Sequence, residues 1–478
     1  LPAAAAAGAG PARFTRWRFR LPSFRCIMSA SSEPRRVLSL LDSTCLILGI
    51  IIGTGIYQMA PTIAGGAGGP AGVFLLWIVG GLLSLCGALC YAELAAAYPR
   101  EGGDYVFLGR AYGSWAGFLF GWAQLTVVRP GDIAVMAFAF ALYAAPILDP
   151  WWGTWGGAPG SAHKVYAAAA VVALTLINVA GVRAGKWTQN LLTLVKALGL
   201  VAICMAALVG GPAGVQVNES APGTGLPWTL ALIFVLFTYG GWNEMAYVAA
   251  EVRDPARNIV RAMVLGMASV TALYLLVNGA FLYALGYEGL VGSEAVAVDV
   301  VRRVWPEQAV GLVSALICIS ALGAVNGLVL TGARITYAMG RDYAWFCWLG
   351  RWDERRGAPA MALMVQGLLA LTLILVLGDF VRTVVYTSAA VYTFYLGTTL
   401  AVWVLRRKEP QQPRPYRTWG YPVTPWLFAG VCAWLIYSAV TYRPWLAAGS
   451  GLIILMGLPI WWWHRVRKGR AGQSFEQG

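Results

Sequence analysis

Long apolar runs, parted by short polar, basic or glycine-rich stretches, dominate the chain from residue 38 onward. Most reach the roughly 20 residues that carry an α-helix across about 30 Å of hydrocarbon at about 1.5 Å per residue. They predict about twelve spans: residues 40–63, 72–97, 115–147, 165–182, 190–209, 228–250, 260–285, 309–333, 361–377, 384–405, 425–440 and 446–463. The third is long enough to need tilt. Grouped along the chain, they suggest a basic segment (1–36), five spans (37–210), five more (226–407), a terminal pair (423–464) and a short tail (465–478). Tryptophans cluster at expected edges, Trp151, Trp152 and Trp155 in one place and Trp461 to Trp463 in another, as an interfacial belt requires.

Composition sharpens this into an all-α integral membrane protein. Of 478 residues 59% are hydrophobic and 12% charged, about half the charge of a soluble domain. Too little polar surface remains to coat a soluble fold. The net charge of +14 follows the same logic. With the N-terminus placed in the cytoplasm, 28 Lys and Arg fall on the cytoplasmic side and 5 on the other, leaving Arg129 and Lys196 inside spans. That asymmetry orients the chain with both ends cytoplasmic, in the plasma membrane or a bacterial inner membrane, and makes the positive charge a matter of topology, not of nucleic-acid binding. The eight cysteines lie mostly within spans and the two histidines, His163 and His464, near span ends. Neither set suggests a disulfide framework, a metal site or a catalytic relay, so no cofactor is expected. Residues 1–27 have no apolar stretch after their arginines, unlike a signal peptide, and are expected to precede a natural start at Met28.

Two spans carry glycine clusters near mid-membrane. The first reads Gly49-Ile50-Ile51-Ile52-Gly53-Thr54-Gly55, the sixth Phe237-Thr238-Tyr239-Gly240-Gly241-Trp242-Asn243. Either cluster alone is what close helix packing also selects. The two lie five spans apart and therefore run in opposite directions, the arrangement of paired interrupted helices around a transporter's central site. A half-helix N-terminus bares N–H groups and attracts a carboxylate, whereas freed carbonyls attract a cation. Breaks near Thr54 and Gly55, and near Phe237, Thr238 and Gly240, would hold the two ends of an α-amino acid.

At these residues the chain resembles the amino acid–polyamine–organocation superfamily, and within it the L-type amino acid transporters and their bacterial relatives. The matching stretches are Gly53-Thr54-Gly55-Ile56, Tyr91-Ala92-Glu93-Leu94, Gly102-Gly103-Asp104-Tyr105, Arg129-Pro130, Phe237 to Asn243 and Glu251 to Asn258. The resemblance implies a LeuT-like fold, a 5+5 inverted repeat with two extra C-terminal spans. It implies substrate binding by Ile51, Gly53, Thr54, Gly55, Phe237, Thr238, Gly240 and Asn243, with Phe237 as a gate. It also places Lys196, Tyr239 and Glu244 in coupling or gating, the Lys196 ammonium standing where sodium-coupled relatives hold a sodium ion. Thr54 and Thr238 depart from the commoner serine and alanine. The loop 148–164 lacks the cysteine through which animal members join a heavy subunit, so no such disulfide-linked partner is expected.

The remaining ionisable residues admit several readings. Arg129 and Asp132, three apart on one helix, are spaced to pair with each other; Glu244 is placed to meet Lys196, to relay protons or to face cytoplasmic water. Glu93, Asp104, Glu251 and Asp254 are expected at cytoplasmic ends, in gate or surface ion pairs. The function expected is a secondary transporter of amino acids by alternating access, with neutral substrates and sodium-independent exchange or proton-coupled uptake. Cationic amino acids or polyamines are the alternative, with Glu244 as their acid, and a sensor without flux is a further one. The scarcity of histidines and paired acids in span cores argues against an enzyme.

Overall fold

The structure, a computed structural model, describes residues 36–152, 161–212, 227–377, 380–442 and 444–473. The N-terminal arm, the Trp151–Trp155 cluster in part, the glycine-rich stretch 213–226 and the last five residues lie outside the described residues. Among those described, the regular structure is helical apart from two isolated bridges, Leu38 with Val252 and Asp353 with Ala358.

Nine of these helices are long and apolar enough to cross a membrane: Leu40–Gln58, Pro70–Ala97, Ser114–Asp149, Ala162–Ala180, Val182–Gly210, Pro255–Val291, Ala309–Asp342, Thr387–Lys408 and Val423–Thr441. Trp228–Thr238 and Ala360–Val376 are shorter apolar helices at the sixth and ninth expected positions. The expected twelfth span is divided into Pro444–Leu455 and Gly457–Gln473. Pro459 supplies the reason, since it has no N–H to return to the Leu455 carbonyl and its ring crowds that turn. The eighth helix extends to Asp342, so Arg334, expected in a loop, is buried within it.

The helices are amphipathic in the sense a bilayer demands. On Val182–Gly210 the exposed positions include Leu191, Leu194, Leu198, Val201, Met205 and Leu208, while Gln189, Thr193 and Lys196 are buried on the opposite face. Both sets repeat every three or four residues, one helical stripe each. Polar groups therefore turn inward, where other helices offer partners, as Asn326 does to the Gln189 side-chain oxygen. Ala309–Asp342 is buried along most of its length and packs on both the Leu40–Ile51 and Arg129–Trp152 helices, with Pro255–Val291 against Leu40–Ile51 on another side. The Leu40–Ile51 half of the first span is thus packed inside the bundle.

Candidate functional site

The first span starts firmly and then stops early. Ser39 caps the Leu40–Ile51 helix, its Oγ accepting from the Asp42 amide while Asp42 accepts from the Ser39 amide, a reciprocal capping box. Asp42 is held in turn by Lys186 at 3.0 Å and Asn190 at 2.7 Å. At Ile52 the backbone leaves the helix (φ −72°, ψ 74°), and helix resumes only at Gly55–Gln58. Four carbonyls at this break, those of Gly49, Ile51, Ile52 and Gly53, are engaged by side chains. Lys196 Nζ donates to the oxygens of Gly49 (2.6 Å), Ile52 (2.8 Å) and Ser320 (3.1 Å). Ser320 Oγ donates to Ile52 (2.8 Å) and is 3.1 Å from the Gly53 oxygen; Tyr274 Oη donates to Ile51 (3.0 Å). An unwound segment at membrane depth needs this kind of compensation.

The sixth span breaks in the same way. Trp228–Thr238 ends, the Gly240 amide turns back to the Phe237 oxygen at 3.0 Å, and helix resumes at Glu244–Tyr247. Gly241 makes the turn with φ +109°, and a Cβ there would stand 2.6 Å from Ile50 Cγ2. Gly55 is similarly confined, with Thr238 Cγ2 3.0 Å from where its Cβ would be. The two breaks therefore abut, glycine against side chain in both directions.

Between them lies a cavity of about 160 Å³. An engineered protein cavity of about 150 Å³ admits benzene, so this space suits one small solute, not a nucleotide or peptide. Of the residues singled out from the sequence, Ile51, Gly53, Thr54, Gly55, Phe237, Thr238, Gly240 and Glu244 line it. The Thr238 hydroxyl is turned back to the Phe234 carbonyl at 2.8 Å. Three others lie behind the wall. Lys196 is spent on the backbone as above. Tyr239 is buried and donates to the Trp77 carbonyl at 3.1 Å. Asn243 donates to Tyr247 Oη and accepts from Tyr395 Oη, both at 2.7 Å, so it braces the second half of the break.

The charges pair differently from the spacing-based expectation. Arg129 reaches across to Glu244 at 3.0 Å instead of pairing with Asp132, and Glu244 accepts a second bond from Thr331 Oγ1. Glu244 consequently does not meet Lys196. The cause is local. Residues Gln124–Val128 form a π-helical turn, with the Arg129 amide donating to the Gln124 carbonyl five residues back. Pro130, lacking an N–H, favours such a register shift. Asp132 is left on the cavity wall. Glu93 is bridged by Arg406 (2.6 Å) and Arg414 (3.3 Å), and Glu251 by Arg334 (2.6 Å), both acids buried. Asp104 has no ion pair among the described residues; three hydroxyls, from Tyr91, Tyr247 and Thr398, converge on it. Asp254 is exposed, in a left-handed conformation ahead of Pro255.

Ser320 and Thr331 were not apparent as participants from the sequence, although their separation of eleven residues, about three helical turns, sets them on one face of the Ala309–Asp342 helix. Tyr274, Met136 and Tyr395 carried no comparable signal.

The model of the amino acid permease family matches residues 38–462, nearly all of the described chain. The chain belongs to the amino acid permease family. Relatives include the human b(0,+)-type amino acid transporter 1, 31% identical over 441 residues (90% of this chain and 88% of the relative). Another is the large neutral amino acids transporter small subunit 2 of Mus musculus, 32% identical over 451 residues, covering 90% and 82%. The permease is thus a multi-pass membrane protein of amino acid transport and not an enzyme.

Proposed function

We propose that this permease is a sodium-independent, alternating-access carrier that grips the main-chain groups of an amino acid between its two helix breaks. The observation that carries the reading is the cavity bounded on one side by Gly53–Gly55 and on the other by Phe237–Gly240. The amides opening the Gly55–Gln58 turn suit the α-carboxylate, and the carbonyls ending Trp228–Thr238 suit the α-ammonium. Phe237, half-buried at the wall, is placed to cover a bound solute. Apolar wall residues such as Val135, Met136 and Leu328 suit neutral side chains, and the names of the relatives agree with amino acid cargo. The same reading takes 37–210 and 226–407 as inverted repeats, both chain ends as cytoplasmic, the plasma or inner membrane as the site, and no heavy subunit linked by a disulfide.

The test is counterflow in proteoliposomes across the common amino acids, with sodium present and absent and over a range of pH. Exchange of at least one amino acid, unchanged by sodium removal, is expected. Gly55→Leu is expected to reduce that exchange by about a hundredfold or more, because a leucine side chain would enter the space against Thr238 and obstruct the amides behind it. Retained exchange by a correctly folded Gly55→Leu protein, checked by its elution profile, would place the substrate elsewhere. Binding without counterflow would make the permease a sensor.

A further inference from the structure

The cavity wall carries one carboxylate that the protein leaves unanswered. Asp132, Val135 and Met136 line the cavity from one face of the Arg129–Trp152 helix, the i, i+3, i+4 stripe expected of residues that share a side. Met136 reaches the first break, its sulfur 3.7 Å from the Cβ position of Gly53. Asp132 therefore stands about 6 Å along the helix axis from the residue that touches the break. It is partly accessible and has no hydrogen-bond or ion-pair partner among the described residues. The ionised groups whose charge acts on it are Arg129 and Glu244. Those two are committed to each other at 3.0 Å, with the Arg129 guanidinium also lying 5.4 Å from the Tyr247 ring centre and Thr331 holding the other Glu244 oxygen. With both acids ionised, one cation and two acids leave a charge of minus one, and it faces the cavity through Asp132.

We infer that Asp132 is the counterion for a positively charged substrate side chain, so that the permease takes basic amino acids in addition to neutral ones. A zwitterion's own carboxylate and ammonium are matched by the two breaks and leave Asp132 unpaired. A carboxylate at membrane depth is costly until a cation joins it. A lysine or arginine side chain supplies that cation on a flexible apolar stem, and the stem suits Val135 and Met136. The inference rests on the binding mode proposed above but names a different residue and a narrower substrate class. It also moves the acid for a basic substrate from Glu244 to Asp132.

The test compares wild type, Asp132→Asn and Asp132→Glu in two assays, counterflow of labelled arginine and leucine, and thermal stabilisation of purified protein by each. Wild type is expected to exchange and bind both. Asp132→Asn is expected to weaken arginine by about tenfold or more, as loss of a charge-assisted bond does, with leucine changed less than about twofold. Asp132→Glu is expected to restore arginine in large part. Equal losses for both amino acids would show a structural role and overturn the inference. So would wild-type discrimination against arginine, or leucine uptake that carries protons in wild type and not in Asp132→Asn, which would give the carboxylate a proton instead. Selective arginine binding without flux in wild type would sink the carrier reading and leave the counterion assignment standing, whereas binding of no amino acid would sink both.

Discussion

Replacing Lys196 by alanine is expected to abolish exchange and to destabilise the permease by about 2–6 kcal/mol, seen as a drop of the melting temperature in detergent. The magnitude follows from what the ammonium does. Its three hydrogen bonds go to the carbonyls of Gly49, Ile52 and Ser320, and each buried acceptor left unmatched costs about 1–3 kcal/mol. Ile52 keeps the Ser320 hydroxyl, so two acceptors, those of Gly49 and Ser320, are left unmatched. Arginine is not expected to substitute. Gly323 faces the ammonium so closely that a Cβ there would lie 2.7 Å from Nζ, which leaves no room for a planar guanidinium fork. Because a fixed cation already occupies the carbonyl cluster, wild-type exchange should be unaffected when sodium is replaced by choline. A Lys196→Ala protein that melts and exchanges like wild type, or a wild type that stops without sodium, would remove this residue from the mechanism.

The glycine clusters made the breaks legible because a helix interior tolerates such residues only where something else repays their cost. The same is true of Lys196: a lone charge in an apolar run announces a purpose. What sequence spacing did not resolve was which charge meets which. Arg129 and Asp132 stand at a pairing distance on an ideal helix, but the Arg129 guanidinium goes to Glu244 on another span. No local pattern reports a partner 115 residues away, as Glu244 is for Arg129. Asn243 and Tyr239 illustrate a second gap. Both sit within the motif of the sixth span, yet the break turns them away from the cavity and towards Tyr247, Tyr395 and Trp77. Motif membership fixed the neighbourhood; only the turn at Gly241 decides which side chains face the solute. The divided last span, in contrast, was readable in Pro459 and missed because hydropathy alone does not register a lost hydrogen-bond donor.

Arg129→Met is expected to be more damaging than Glu244→Gln, and the double variant to be more stable than Arg129→Met alone. Both partners of the pair are nearly inaccessible, at 3% and 5% side-chain exposure, and breaking a buried pair from one side typically costs about 3–5 kcal/mol because the other charge stays unpaired. The two sides are not equivalent here. Removing Arg129 leaves Glu244 and Asp132 as two acids beside one cavity with no cation between them. Removing the Glu244 charge leaves Arg129 near a single acid, Asp132, which then becomes its natural partner. Measured by unfolding in mixed micelles, the double Arg129→Met/Glu244→Gln protein should recover a coupling of about 0.5–3 kcal/mol relative to the sum of the single changes. Transport is expected to stay impaired in that protein, since the Thr331 and Tyr247 contacts that orient the second half of the sixth span depend on the same two side chains. Strictly additive single and double effects, or a Glu244→Gln protein weaker than Arg129→Met, would mean that the pair does not act as a unit and that the charge left on the cavity wall has been assigned to the wrong residue.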